Sequence, residues 1–420
     1  MENRSLAYPR WCCLLLCLLL WSDGQAMELD QALTLALERD EGLNALILRR
    51  QAHVEQAVAD AALPDPELIL GAQGVPINDP LSADMMTMYM LGLRQQFPAG
   101  DSRRLSGQRS LSEAGSLAAD IDNRRLEIRR QVQRAWLSWA GSALAAGVAE
   151  DGLRALDELL ELTEARYRSG TGRQRDVDQA RLERSLMARR ILDLQTRGSE
   201  AASDLARWTG RMPNEPDPGA LPDWSATPID PSNPTHWLSH PAIEAESRRI
   251  ESGRLGTDLA RQAYRPMWMV EAGYAHQRGR DPMSMGRQSD KLFAMVSFSL
   301  PLFTGNRQDR RLAAAEAEHD ALIHQRALRL QEWEGRIRSQ QTRLDQQKRR
   351  LELLDDIILP QAERTLESTL TAYRSDRASF DELIRARLTQ IDQRQELIET
   401  RIQWLLARTE LAYLSAEELP

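Results

Sequence analysis

The sequence predicts a mainly α protein with a small membrane β portion. A duplicated strand-hairpin plus long helical-hairpin unit would trimerise into a 12-stranded β-barrel continuous with an α-helical barrel. Three observations predict this. The chain repeats itself: Tyr167-Arg168-Ser169 recurs as Tyr373-Arg374-Ser375, and Ala180-Arg181-Leu182 as Ala386-Arg387-Leu388, both at an offset of 206. Upstream, Pro64 with Gly71 answers Pro266 with Gly273, and Phe97-Pro98 answers Leu300-Pro301. Prolines are absent from Ala99 to Met212, Leu302 to Leu359 and Gln361 to Leu419, blocks rich in strong helix formers with apolar residues three and four apart. Between these blocks, four short segments alternate apolar and polar residues as strands do.

The N-terminal segment 1–26 carries Arg4 and Arg10, then the apolar run Trp11 to Trp21, then the small residues Gly24-Gln25-Ala26. This pattern reads as a secretory signal peptide, too short in its apolar core to span a membrane. Cys12, Cys13 and Cys17, all three cysteines of the chain, fall inside it. The exported protein therefore has no thiol chemistry and no disulfide. Cys17 as a lipid-attachment site remains a separate reading, with Leu16 standing where a small residue is expected. A net charge of -8 argues against nucleic acid as a partner.

The first repeat is expected over 27–212: a helix, a strand hairpin from Glu67 to Gly74 and Met88 to Phe97, and a helical hairpin turning at Tyr167 to Arg175, where Gly170 and Gly172 suit a tight turn. Residues 213–239 form a proline-rich crossover in an equatorial region, since Pro213 to Pro241 holds eight of the 19 prolines. The second repeat, 240–420, supplies strands Met267 to His276 and Lys291 to Leu300, a helix from Arg307 to Ile358, a tolerated kink or junction at Pro360 and a turn at Tyr373 to Asp381. Helices of ~60 residues would run roughly 90 Å and survive only by packing along their length. Four of the five phenylalanines, Phe97, Phe293, Phe298 and Phe303, sit in or beside the strands, as an aromatic girdle requires. Four strands cannot close a barrel, but three chains supply twelve.

These residues resemble the TolC family of outer-membrane efflux proteins over essentially the whole mature chain. The resemblance is carried by Leu63-Pro64-Asp65-Pro66-Glu67-Leu68, Leu300-Pro301-Leu302-Phe303, Asn306-Arg307-Gln308-Asp309-Arg310 and the two Tyr-Arg-Ser turns. The Pro-Asp-Pro-Glu-Leu and Asn-Arg-Gln-Asp-Arg forms are most similar to its heavy-metal, CusC- and CzcC-like branch. The resemblance implies a homotrimer in outer-membrane lipid with a long periplasmic extension. It also implies a periplasmic membrane-fusion adaptor and an inner-membrane pump of the resistance-nodulation-division (RND) class, with the channel passive, free of cofactors and not an enzyme.

The resemblance further places the adaptor contact on the turns, at Tyr167, Arg168, Ser169, Gly170 and Thr171, with Arg374, Ser375 and Asp376 in the second copy. Asp376 replaces the small residue that makes room for close helix packing, so a looser second groove is expected. The periplasmic gate falls on Asp176, Asp178, Tyr373, Asp381, Glu382 and Arg385. Arg385 stands where the family has a second acid, which suggests an Arg-carboxylate gate with Asp178 or Asp381. Copies of a charge around a narrow threefold axis either repel or pair across subunits, a two-state closure. The alternatives are that the charges are merely solvated beside a turn and that Tyr167 and Tyr373 only pack.

Nine of the 13 methionines lie in the hairpin regions: Met85, Met86, Met88, Met90, Met267, Met269, Met283, Met285 and Met295. Thioethers suit univalent copper, yet methionine is also an apolar filler, and alternate strand positions are not expected all to face one lumen. His236 and His240 are four apart, but His240-Pro241 reads better as a helix start. No firm metal site and no catalytic motif emerges. Competing readings are a channel of the same fold for drugs or polypeptides, and a non-conducting periplasmic coiled-coil scaffold.

Overall fold

The computed structural model describes residues 27–77, 86–214, 221–224, 237–278, 283 and 286–419. The signal segment with its cysteines, Met85, Met285, His236 and most of the crossover lie outside the described residues. The elements run α1 (Leu29–Arg39), α2 (Glu41–Ala61), β1 (Glu67–Gln73), β2 (Met88–Phe97), α3 (Ser102–Arg168), α4 (Gln174–Thr209), α5 (Pro241–Gln262), β3 (Trp268–Gln277), β4 (Lys291–Phe298), α6 (Gln308–Leu353), a π-helical turn (Leu354–Ile358), α7 (Leu359–Arg374) and α8 (Phe380–Ser415). No helix among them is long and apolar enough to cross a membrane.

α3 has 67 residues, roughly 100 Å at 1.5 Å per residue. It survives at that length because it is packed throughout, against α1, α2 and α5 above and α4 and α8 below. Small residues let the neighbours approach: a Cβ on Gly141 would lie 2.7 Å from Ile402 Cγ1 of α8. Three clusters form the core. Trp136, Leu137, Leu205, Trp224 and Leu405 bury at the waist. Ala149, Leu156, Ala180, Met187, Leu383 and Ile384 continue it down to Tyr373 and Phe380. Ile243, Trp333, Leu411 and Leu414 form the third.

His240 closes the third cluster. Fully buried, it caps α5 by accepting the Ala242 N–H at Nδ1 (3.1 Å), and Nε2 lies 2.8 Å from the Tyr413 carbonyl. With Nδ1 accepting, Nε2 carries the proton and donates. Pro241 follows at the first helical position, where its missing N–H costs nothing. Pro360 stands at the start of α7, directly after the π-helical turn, where the Leu359 N–H reaches back to the Leu354 carbonyl, so the expected kink or junction falls at the boundary between two helical segments.

The four strands form one antiparallel sheet in the order β1-β2-β3-β4. Register fixes its two faces. Leu91 pairs with Leu70 and Tyr274, Leu93 with Leu68 and Ala272, and Val270 with Val296. All of these fall on one face, which ends in the row Phe97–Trp268–Phe298 at the helical end and in Tyr89 and Tyr274 at the other. The opposite face is mixed: Arg94 bridges Glu67 at 3.3 Å and Glu271 at 3.1 Å across β2.

The aromatic rows at the ends of the apolar face are therefore composed differently from the expected set of phenylalanines. Phe293 lies on the mixed face, its ring over Gly92 and Gly273, and Phe303 lies beyond β4, while Trp268, Tyr89 and Tyr274 complete the rows. Clustering of phenylalanines along the chain gave no phase, and pairing across strands sets it. The methionines also depart from expectation: Met88, Met90, Met269 and Met295 all stand on the mixed face. Adjacent strands align in register, so alternate positions on each strand add up on one side.

Candidate functional site

The two helical turns lie side by side at the end of the molecule remote from the sheet. In the first, α3 ends when Arg166 O accepts from the N–H groups of Thr171 (3.0 Å) and Gly172 (2.9 Å), with Gly170 at φ 78°. In the second, Ala372 O accepts from Arg377 N–H at 2.8 Å and Asp376 takes the same left-handed place at φ 58°. The glycine at 170 answers this backbone demand: a Cβ there would meet nothing within 4 Å. Aspartate is among the few side chains that tolerate this region, and here it gains a partner.

That partner is Arg166, whose guanidinium donates to the Asp376 carboxylate and to the Tyr373 carbonyl (3.1 Å) and lies 4.8 Å over the Tyr373 ring. Asp376 raises the guanidinium's pKa. Tyr373 is buried against Phe380, and burial pushes its phenol above the ordinary range. Tyr167 is exposed instead, as are Arg168, Ser169 and Thr171, with Arg374, Ser375 and Asp376 beside them.

Beyond the turns, Asp176 sits half-buried in the first turn of α4, and Asp178 accepts from Gln174 at 3.0 Å. Glu382 accepts from the N–H (2.7 Å) and hydroxyl (3.0 Å) of Ser379 while the Ser379 hydroxyl caps the Glu382 N–H, a reciprocal capping box. The Ser379 N–H, then its hydroxyl, holds the Glu382 carboxyl below the usual carboxylate range. Arg385 donates to the carbonyl oxygen of Asp381 at 3.0 Å. The Asp381 carboxylate is taken by Arg175, at 2.7 Å.

Arg166 and Arg175 are the residues sequence reasoning passed over. The repeat itself held the signal for Arg175, which falls opposite Asp381 when the copies are aligned. Among the described residues no three His, Cys, Asp or Glu side chains gather as a metal site. The tips therefore hold an ionic clamp between hairpins, and the far end a sheet with one apolar face.

Solved structures share this architecture. The outer-membrane channel OprN matches with a TM-score of 0.79 at 17% identity, covering 93% of this chain and 90% of that one. CusC, whose structures concern folding and transmembrane channel formation, matches at 0.80 and 14% identity, with 93% and 92% covered. The outer membrane protein VceC from Vibrio cholerae matches at 0.76 and 19% identity, with 93% and 97% covered. At these identities the likeness is one of fold. No curated protein matches the chain by sequence. The family described as Outer membrane efflux protein matches residues 32–211 and 237–417, and with most of the chain so covered, the protein belongs to the outer membrane efflux protein family.

Proposed function

We propose that three copies of this chain form the passive exit duct of a tripartite efflux system, carrying heavy-metal cations delivered by an RND pump through a periplasmic adaptor. The observation that carries the duct reading is the sheet. β1 and β4 are its edges, each without a strand partner on its outer side among the described residues, and one face is exposed and apolar with aromatic rows at both ends. An edge-bearing sheet spans a bilayer only when closed, and twelve strands from three chains close it. The apolar face then meets lipid and the mixed face lines the lumen.

At the other end the exposed turns, Tyr167 to Thr171 and Arg374 to Asp376, offer the adaptor a polar surface. Asp176, Asp178, Tyr373, Asp381, Glu382 and Arg385 surround the closed aperture, and the Arg166 and Arg175 contacts hold the hairpins together at rest. The metal cargo rests on the Pro-Asp-Pro-Glu-Leu and Asn-Arg-Gln-Asp-Arg forms. Drugs or polypeptides would use the same passive pipe.

Reconstitution of the purified protein in planar bilayers, with a mass measurement of the detergent-solubilised oligomer, tests the duct. A conducting trimer whose resting conductance rises on Glu382→Ala or Asp176→Ala supports it. A monomer that remains in the aqueous fraction and never conducts replaces it with a periplasmic scaffold.

A further inference from the structure

Antiparallel pairing brings all four connections between sheet and helices, 62–66, 98–101, 263–267 and 299–307, to one end of the sheet, next to the row Phe97–Trp268–Phe298. Together with the first turns of α3 and α6 they carry six arginines, Arg103, Arg104, Arg265, Arg307, Arg310 and Arg311. Against these stand three acids, Asp65, Asp101 and Asp309, and no lysine. In a chain of net charge -8 this is a cationic collar.

Few of its charges are matched within the chain. Asp101 pairs with Arg104 at 3.0 Å. The Asp309 carboxylate accepts instead from the hydroxyls of Tyr264 (2.6 Å) and Thr304 (3.3 Å). Arg103, Arg265, Arg307, Arg310 and Arg311 are exposed and, among the described residues, none of their guanidinium groups meets a carboxylate. Arg103 sits in the first turn of α3 and Arg310 and Arg311 in the first turn of α6, where the helix dipole disfavours positive charge. Their placement costs the helices stability rather than adding to it.

Large apolar side chains are exposed among these cations. Leu300 is 61%, Leu302 72% and Phe303 91% exposed, shortly ahead of Arg307. Beside Arg103 a groove of about 350 Å³ is walled by Leu63, Pro64, Pro98 and Leu259. Asp60, which also borders it, is taken by Ser110 at 2.6 Å and Gln56 at 2.7 Å, so Arg103 is the unmatched charge there. Apolar side chains with guanidinium groups a few residues away fit the glycerol level of a bilayer, where the former meet acyl chains and the latter reach phosphate.

We infer that Arg103, Arg265, Arg307, Arg310 and Arg311 form a docking collar for the headgroups of anionic phospholipids in the leaflet nearer the helices. Arginine matches a phosphodiester bidentately, and the unmatched positive charge favours a net-negative headgroup over a zwitterionic one. That the collar lies at a bilayer surface rests on the duct reading; its charge excess does not.

Native mass spectrometry of the purified, detergent-solubilised protein, titrated with dioleoylphosphatidylglycerol or dioleoylphosphatidylcholine, tests the collar. The wild type should bind the anionic lipid at least about tenfold more tightly, a preference that higher salt erodes. R103Q/R307Q/R311Q should lose the preference. R189Q/R197Q/R364Q, which removes exposed arginines of α4 and α7 far from the sheet, should keep it. The single exchange R311Q, expected to weaken binding about fivefold, decides the matter should the triple variant not fold. Equal binding of the two lipids by the wild type, an unchanged preference in the folded collar variants, or an equal loss in the control would overturn the inference. A collar variant whose oligomer falls apart, beside a wild type without lipid preference, would give this surface to contact between copies instead. Bilayer conductance from the same preparation separates the two readings. A conducting protein without lipid preference loses only the collar, and one that prefers the anionic lipid but never conducts loses only the duct.

Discussion

Arg175 and Asp381 occupy the same place in the two copies of the repeat, 206 residues apart, and bridge each other at 2.7 Å. Opposite charges at equivalent positions let the two turns attract across their shared boundary, which identical residues would not. Arg166 adds a second link to Asp376 and the Tyr373 carbonyl.

Arg175→Ala should loosen the resting aperture. The pair is largely solvent-exposed, so the expected effect is a rise in resting conductance of up to roughly fivefold, the ceiling for a surface pair. The charge-swapped R175D/D381R should return toward wild type while each single exchange leaks more. Single-channel recording and vancomycin sensitivity of cells check this; equal leakage by single and double variants would sink the assignment.

Acid should loosen the third core cluster through His240. Its folded pKa is lowered to about 4 from 6.5, chiefly by burial, with Arg329 and Arg336 nearby also disfavouring charge. The neutral ring uses both nitrogens, so protonation breaks the α5 cap. The unfolded chain binds this proton near pH 6.5 and the folded one only near 4, so the contribution is full above 6.5 and lost as pH falls toward 4. It amounts to about 3 kcal/mol. Thermal melts from pH 7.5 to 4 should fall more steeply for wild type than for His240→Gln.

The two faces of the sheet should respond oppositely to charge. Ala272→Arg puts a cation in the middle of the apolar face, at a cost of about 2–4 kcal/mol in lipid. Ser297→Arg on the mixed face should leave insertion intact. Outer-membrane fractionation of both variants reads the difference; equal fates would contradict the facing.

Gly273→Ala should damage the sheet out of proportion to one methyl group. Its Cβ would lie 2.5 Å from the Leu91 carbonyl oxygen and 2.6 Å from Gly92 Cα, backbone atoms that cannot step aside. A loss of about 1–3 kcal/mol is expected, read as a lower dissociation temperature of the oligomer on semi-denaturing gels. Gly170→Ala meets no neighbour, but its φ of 78° still penalises a side chain.

Much of this protein was legible before any coordinate. Long proline-free blocks of helix formers fix helices of this length, because nothing in them interrupts the backbone ladder. Alternation fixed the strands to within two residues of their ends. The Tyr-Arg-Ser repeats located both turns, with Gly170 and Gly172 suiting the tight turn of the first. Only tertiary structure decided how the pieces face one another. Which side of the sheet a methionine or phenylalanine takes depends on pairing register between strands nearly 200 residues apart. Which arginine Asp381 finds depends on how two turns dock, and four residues along its own helix Arg385 loses to Arg175 from the other copy. Periodicity is a property of one segment; partner choice is a property of two, and a single segment's sequence does not contain it.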